Sequence, residues 1–257
     1  MYPGLDLHLR VLFGPRPREP THEELLAWLR RVNFGFGEIE RLKGNIAYLT
    51  INEFIPSDEE EVPEAIAGFM SKVADADALI IDLRENYGGS PETVALVASY
   101  VFNSEPVHLN DMIGRDGSVE EFWTLQDVNG TRFNGKKPVY VLTSAETAAG
   151  GEEFAYDLQC LERATIIGET TLGAASPQEV FELDEWFRIV VPNRRPVNPI
   201  TKTNWERIGI VPDISVPAET ALEEAHRHAL RHICISVESP DSGDTVRNQH
   251  PFVDPQI

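Results

Sequence analysis

Cysteine is scarce in this 257-residue chain. Cys160 and Cys234 are the only two, both in apolar surroundings, and read as small packed hydrophobes rather than a disulfide framework. That usage predicts a reducing compartment. No apolar run reaches membrane-spanning length, which excludes a spanning helix, and Met1 to Asp6 lacks a charged-then-apolar leader. The sequence as written therefore predicts a cytoplasmic protein. Basic residues are also few, 22 Lys and Arg against 42 Asp and Glu for a net charge of -20, and nowhere form a stripe. A nucleic-acid partner is excluded on that ground. No Gly-Lys-Ser/Thr follows Gly150-Gly151 or the glycines of Gly168 to Gly173, so neither stretch is a phosphate loop. His228 and His232 have the spacing of a helical metal pair but lack a companion ligand motif, and read as a solvated helix face. We expect no catalytic metal and no cofactor.

What is present is alternation. Thr21 and Glu24 have capping-box spacing ahead of a helix to Arg31, with Leu25, Leu26 and Leu29 on one face. Strand 46–51, helix 63–73 and the almost uninterrupted apolar strand 78–83 follow, and the last suits a sheet covered on both faces. A helix begins near Pro91, where a missing amide hydrogen costs nothing. A polar stretch, 103–135, is punctuated by Gly114, Gly117 and Gly130 as turns. Beyond it come strand 138–142, helix 150–161, strand 164–167, two antiparallel strands (178–183 and 186–191), and a last helix near Thr220 to His232. This order gives an α/β fold with short connections. One domain is expected over 1–235, with a polar, poorly ordered tail over 236–257. The acidic run 57–61 reads as a solvated loop leading into a helix N-terminus.

The turn between strand 138–142 and the helix opening at Gly150 is the point of most chemical interest. A strand that breaks into a helix at small residues presents a side chain, and helix N-termini at Gly150 and after Gly89 offer free amides and positive dipole ends. The residue presented is Ala149, which has no hydroxyl. Taken singly, Gly88-Gly89 is a tight turn, His8 a surface or satisfied core histidine, and Glu206 a loop carboxylate beside the aromatic anchor Trp205. Partial burial against Trp205 would raise the pKa of Glu206 and suit it to handling protons. Asp82, ending a strand, reads as a structural tie to the next turn.

Four ordered stretches, Leu5 to His8, Asp82 to Gly89, Thr143 to Phe154 and Asn204 to Asp213, together with Ile167 to Gly173, resemble the tail-specific protease (S41) family of serine peptidases. The closer likeness is to its tricorn-core and interphotoreceptor retinoid-binding protein-like subgroup. The resemblance implies a crotonase-like spiral of strand-strand-helix units with added hairpins. It also implies that position 149 is the nucleophile's, that His8 is the general base and Glu206 its network partner, and that amides of Gly88 or Gly89 and of Gly150 form an oxyanion hole. Leu7 departs from the small or polar residue often found before that histidine. A serine-lysine branch of the family is a poorer match, because Ala174 stands where the lysine would be.

Two readings follow from Ala149. In one, the parent carries serine and this chain is a substituted peptidase, inert as written, that binds peptide. In the other, alanine is natural, and the scaffold either binds an apolar, retinoid-like or fatty-acid-like small molecule or uses the oxyanion hole with His8 and Glu206 for proton transfer. Neither substrate identity nor oligomeric state is legible.

Overall fold

The computed structural model describes residues 9–133 and 135–238. Twelve strands and five helices alternate along them. In chain order they are β1 (Arg10–Phe13), α1 (His22–Arg31), β2 (Phe36–Leu42), β3 (Ile46–Ile51), α2 (Glu61–Val73), β4 (Ala78–Asp82), α3 (Pro91–Val101), β5 (His108–Gly114) and β6 (Val119–Trp123). The second half holds β7 (Val139–Thr143), α4 (Gly150–Cys160), β8 (Thr165–Gly168), β9 (Gln178–Glu182), β10 (Phe187–Pro192), β11 (Arg194–Val197), β12 (Ile214–Ser215) and α5 (Ala221–Glu238).

The central sheet runs β12-β8-β7-β4-β3-β2, parallel throughout except where β2 pairs antiparallel with β3. Side chains alternate between its faces. Ile46, Tyr48, Ala78, Ile80, Tyr140, Leu142 and Ile167 meet the small stripe Ala221, Ala225 and Ala229 of α5. Ala47, Leu49, Ile51, Leu79, Ile81, Val141 and Ile166 pack on the other face with Ile66 and Met70 of α2, Val97 and Val101 of α3, and Phe154 and Leu158 of α4. Every residue of β4 and β7 is buried. Covering both faces explains why their sequences read as unbroken apolar runs. Each such Ile, Leu or Val contributes about 1.5–3 kcal/mol by leaving water.

The α/β expectation holds. β2, β3 and α2 form one strand-strand-helix unit, and two small antiparallel sheets, β1-β10-β9 and β11-β5-β6, are the added hairpins. The capping box is present: Thr21 Oγ1 accepts the Glu24 amide at 3.2 Å, and Glu24 accepts the Thr21 amide at 2.8 Å.

Three sequence expectations change. The polar stretch 103–135 holds the β5–β6 hairpin, turning at Gly114 to Gly117. Strand β2 went unread because only Phe36 of its seven residues is buried. Helix α5 continues to Glu238, into the segment assigned to the tail. The rest of that tail and His8 lie outside the described residues.

Candidate active site

β4 and β7 are parallel neighbours, so the loops leaving their C-terminal ends meet. This edge of a parallel sheet is where α/β proteins place ligands. From β4 the chain turns at Arg84, whose guanidinium forks onto Asp82 at 2.6–3.1 Å and donates to the Ala218 carbonyl at 2.7 Å. Asp82 also accepts the Arg84 amide and the Tyr48 hydroxyl, at 3.0 and 2.6 Å. It ties down the turn. Burial and the neighbouring carboxylate push the Tyr48 phenol up to about 12, and Asp82 raises the Arg84 guanidinium further.

Asn86 is fully buried and fixes the next step. Its Nδ2 donates to the Ile51 carbonyl at 2.9 Å, its Oδ1 accepts the Gly88 amide at 2.9 Å, and its own carbonyl accepts the Ala148 amide at 2.9 Å. Gly88-Gly89 is thereby threaded between two backbones. Phe54 donates to the Gly88 carbonyl and accepts from Ser90 on one side, and Ala149-Gly150 lies on the other. A Cβ on Gly89 would stand 2.1 Å from the Phe54 carbonyl oxygen, and one on Gly88 2.8 Å from the Ala149 Cβ. Both glycines also have positive φ, +120° and +133°. Tight turn and close approach are both required here.

Ala149 sits at the N-cap of α4 with φ 47° and ψ -114°. An L-residue held there costs on the order of 1–3 kcal/mol, and such strain collects at functional sites. This strand-to-helix turn is sharp, as are the turns that present nucleophiles in α/β hydrolases. What holds it is Glu152, fully buried one turn into α4. Glu152 accepts from the Ala149 amide at 3.0 Å, the Gly173 amide at 2.6 Å, the Ala174 amide at 2.8 Å and the Thr171 hydroxyl at 2.5 Å. Burial raises this carboxyl above its ordinary range, and the four donors offset that only in part. The donors favour the ionised form. Only half of a capping box exists, because the alanine methyl offers no acceptor to the Glu152 amide.

The four hydrogen-bond donors nearest the elbow divide clearly. Gly88 gives its amide to Asn86, and Ala149 gives its amide to Glu152. Among the described residues, no hydrogen bond engages the amides of Gly89 or Gly150. Of the three glycines expected around an oxyanion, these two carry the open donors. Ser144 and Thr147 are committed elsewhere, donating to the carbonyls of Arg84 and Leu83 at 2.5 and 2.8 Å.

Glu206 is half-buried beside Trp205, which is 2% exposed and packs on Tyr156. Its carboxylate accepts the amides of Ala175 and Ser176 at 3.0 and 3.1 Å and the Ser176 hydroxyl at 3.0 Å. The segment 171–176 thus links Glu152, and through it Ala149, to Glu206. Leu9, the first described residue, borders a cleft of about 440 Å³ with Ser176 and Val191. The larger cleft, about 770 Å³, lies on the α5 side of the sheet edge among Tyr48, Asp82, Arg84, Glu146 and Glu169, and Ala149 does not line it. Size favours that cleft, but the strained elbow and open amides are the observations with chemical content. Sequence reasoning missed Glu152, although its position three residues after the elbow was the available signal.

The fold thus places a strained elbow at a helix start, with two open amides beside it, at the edge of an α/β sheet. The chain belongs to peptidase family S41, whose sequence model matches residues 45–216. It is 29% identical over 170 residues to the carboxyl-terminal-processing protease of Synechocystis sp., covering 66% of this chain and 37% of that protein. The chain spans less than half the length of such curated relatives. In structure it resembles a photosystem II D1 C-terminal processing protease, with TM-score 0.56 and 22% identity over 72% of this chain and 46% of that one. A lipoprotein from Streptococcus agalactiae shares the fold with TM-score 0.61 and 18% identity, over 88% of this chain and 76% of that one.

Proposed function

We propose that this chain is an S41 peptidase domain disarmed at its nucleophile, which binds peptide with a carbonyl oxygen toward the amides of Gly89 and Gly150 and does not cleave it. The observation that carries the reading is the backbone of Ala149, held at φ 47° and ψ -114° against the Gly88 loop with no hydroxyl to present. A serine there would place an oxygen at the elbow and complete the Ser-x-x-Glu box with Glu152. In that restored form His8 is the proposed base and Glu206 its orienting partner, as the resemblance implies. Without the oxygen no acyl-enzyme forms. What remains is positioning and oxyanion stabilisation, roughly a thousandfold over water.

Exposed apolar side chains support a peptide ligand. Tyr87 adjoins the glycine pair, while Leu172 follows Thr171 of the Glu152 network and Ile208 lies two residues after Glu206. The larger cleft is open and walled largely by acidic and other polar side chains, chemistry that suits a retinoid-like or fatty-acid-like ligand poorly.

The test is Ala149→Ser, reaction with a fluorophosphonate probe, and location of the label by peptide mass spectrometry. Labelling at 149 that disappears with His8→Ala is the expected outcome. A folded Ala149→Ser protein that takes no label overturns the reading and moves the search to proton-transfer chemistry at His8 and Glu206.

A further inference from the structure

On the face of α4 away from the Glu152 network, two more carboxyls are buried one turn apart. Glu153 is 3% exposed and Asp157 1%. Each has one neutral donor at long range: Asn110 Nδ2 of β5 lies 3.3 Å from Glu153 Oε1, and Asn198 Nδ2, just after β11, lies 3.3 Å from Asp157 Oδ1. Asn198 is held in that orientation, because its Oδ1 accepts the amides of Ile200 and Thr201 while its Nδ2 also donates to the Leu109 carbonyl. No ion pair among the described residues reaches either carboxyl. The charged group facing them from α3 is Glu92, another acid, and from α4 itself Tyr156 and Cys160 lie beside Asp157. Two buried oxygens, Asn110 Oδ1 and Asp157 Oδ2, have no hydrogen-bond partner.

Two ionised carboxylates in this setting would face each other and Glu92 without a cation, a cost that two long amide contacts do not offset. Buried acceptors left unpaired call for a donor. A proton on the pair removes the repulsion and supplies that donor. We propose that Glu153 and Asp157 form a proton-sharing carboxyl pair that clamps α4 to the β11-β5-β6 sheet, and that loss of its protons as pH rises loosens this seam. The inference is independent of what position 149 does.

Burial pushes Glu153 up from 4.5 to about 7, and burial with the Glu153 charge pushes Asp157 well above its ordinary range. Because the two interact, the protons leave the pair in steps that belong to both residues. For a carboxyl raised in the folded state, the contribution to stability is full below the unfolded value and lost as pH rises through the folded one. The window therefore opens above 4.5 and extends past about 7. A shift of this size corresponds to a change on the order of a hundredfold in the folding equilibrium across the window.

The experiment compares urea unfolding of the full chain with that of Glu153→Gln, Asp157→Asn and the double variant from about pH 5 to about pH 8. These side chains keep the shape and cannot ionise. The variants should gain on the parent by tenfold or more in folding equilibrium as pH rises, with the double variant flattest. Infrared spectra of the unsubstituted chain should show a buried carboxylic-acid C=O band near neutral pH, and the double variant should lose it. Parallel pH profiles with carboxylate bands alone would overturn the proposal. So would stability that tracks added sodium or calcium, which would assign the site to a buried cation.

Discussion

Glu152 Oε2 accepts the amide of Ala149 at 3.0 Å, while Oε1 accepts the amide of Gly173 at 2.6 Å. One buried carboxylate therefore sets the elbow and the segment leading to Glu206 together. Replacing it with alanine leaves three amides and a hydroxyl without their acceptor, and each unpaired buried donor costs about 1–3 kcal/mol. We expect Glu152→Ala to lose at least about 3 kcal/mol in urea unfolding. Glu152→Gln, which keeps one acceptor oxygen, should lose less and still impair probe labelling in Ala149→Ser protein. A stable Glu152→Ala protein that labels normally would show the elbow to be held by other means.

The strain at Ala149 has its own signature. Glycine tolerates φ 47° and ψ -114° without the Cβ penalty. Although glycine loses more entropy on folding, Ala149→Gly should stabilise the chain by about 1 kcal/mol, read from the unfolding midpoint. Serine carries the same Cβ as alanine and so keeps the strain, but it supplies the missing half of the capping box, so Ala149→Ser should stabilise by about 0.5–1 kcal/mol. Clear destabilisation by glycine would mean that the backbone here is relaxed.

Adjacent glycines should fail differently. Gly89→Ala drives a Cβ to 2.1 Å from a backbone oxygen, which cannot move without disrupting the Phe54 bridge. It should destabilise by more than about 3 kcal/mol and yield little folded protein. Gly88→Ala meets the Ala149 Cβ at 2.8 Å. In Ala149→Ser protein it should remove probe labelling at a smaller stability cost. Equal unfolding midpoints for the two variants would contradict this ordering.

The Tyr48 hydroxyl bound to Asp82 gives a pH test at the opposite end of the scale. Its neutral form is favoured in the fold, so its contribution is present below 10 and is lost as pH rises toward about 12. Ultraviolet titration should show a phenol ionising near 12 that is absent from Tyr48→Phe. A Tyr48→Phe curve that matches the parent would place that phenol in an ordinary environment.

Much of the central sheet was legible because the signal is continuous: β3, β4 and β7 are apolar along their length and buried on both faces. β6 hid itself, since four of its five residues are exposed and no alternation marks it. At the elbow, the sequence announces small residues and glycines but not which amides stay open. That depends on Asn86, whose side chain takes the Gly88 amide and whose carbonyl takes that of Ala148. Such a choice is made across strands and leaves no periodicity. Nothing in the sequence sets Glu152, Glu153 and Asp157 apart from other helix acids, and their burial comes only from the segments that pack over α4.

The pairing of β4 with β7 also separates the upkeep of the elbow from the length of chain between its halves. Gly88 and Ala149 are brought together by adjoining strand ends, while α3 and the β5–β6 hairpin run between them. The hairpin turn at Gly114 to Gly117 can thus be lengthened or recast without changing how those strand ends meet. This makes it the natural place for one member of such a fold to differ from another, and the place to graft a foreign segment while the elbow keeps its shape.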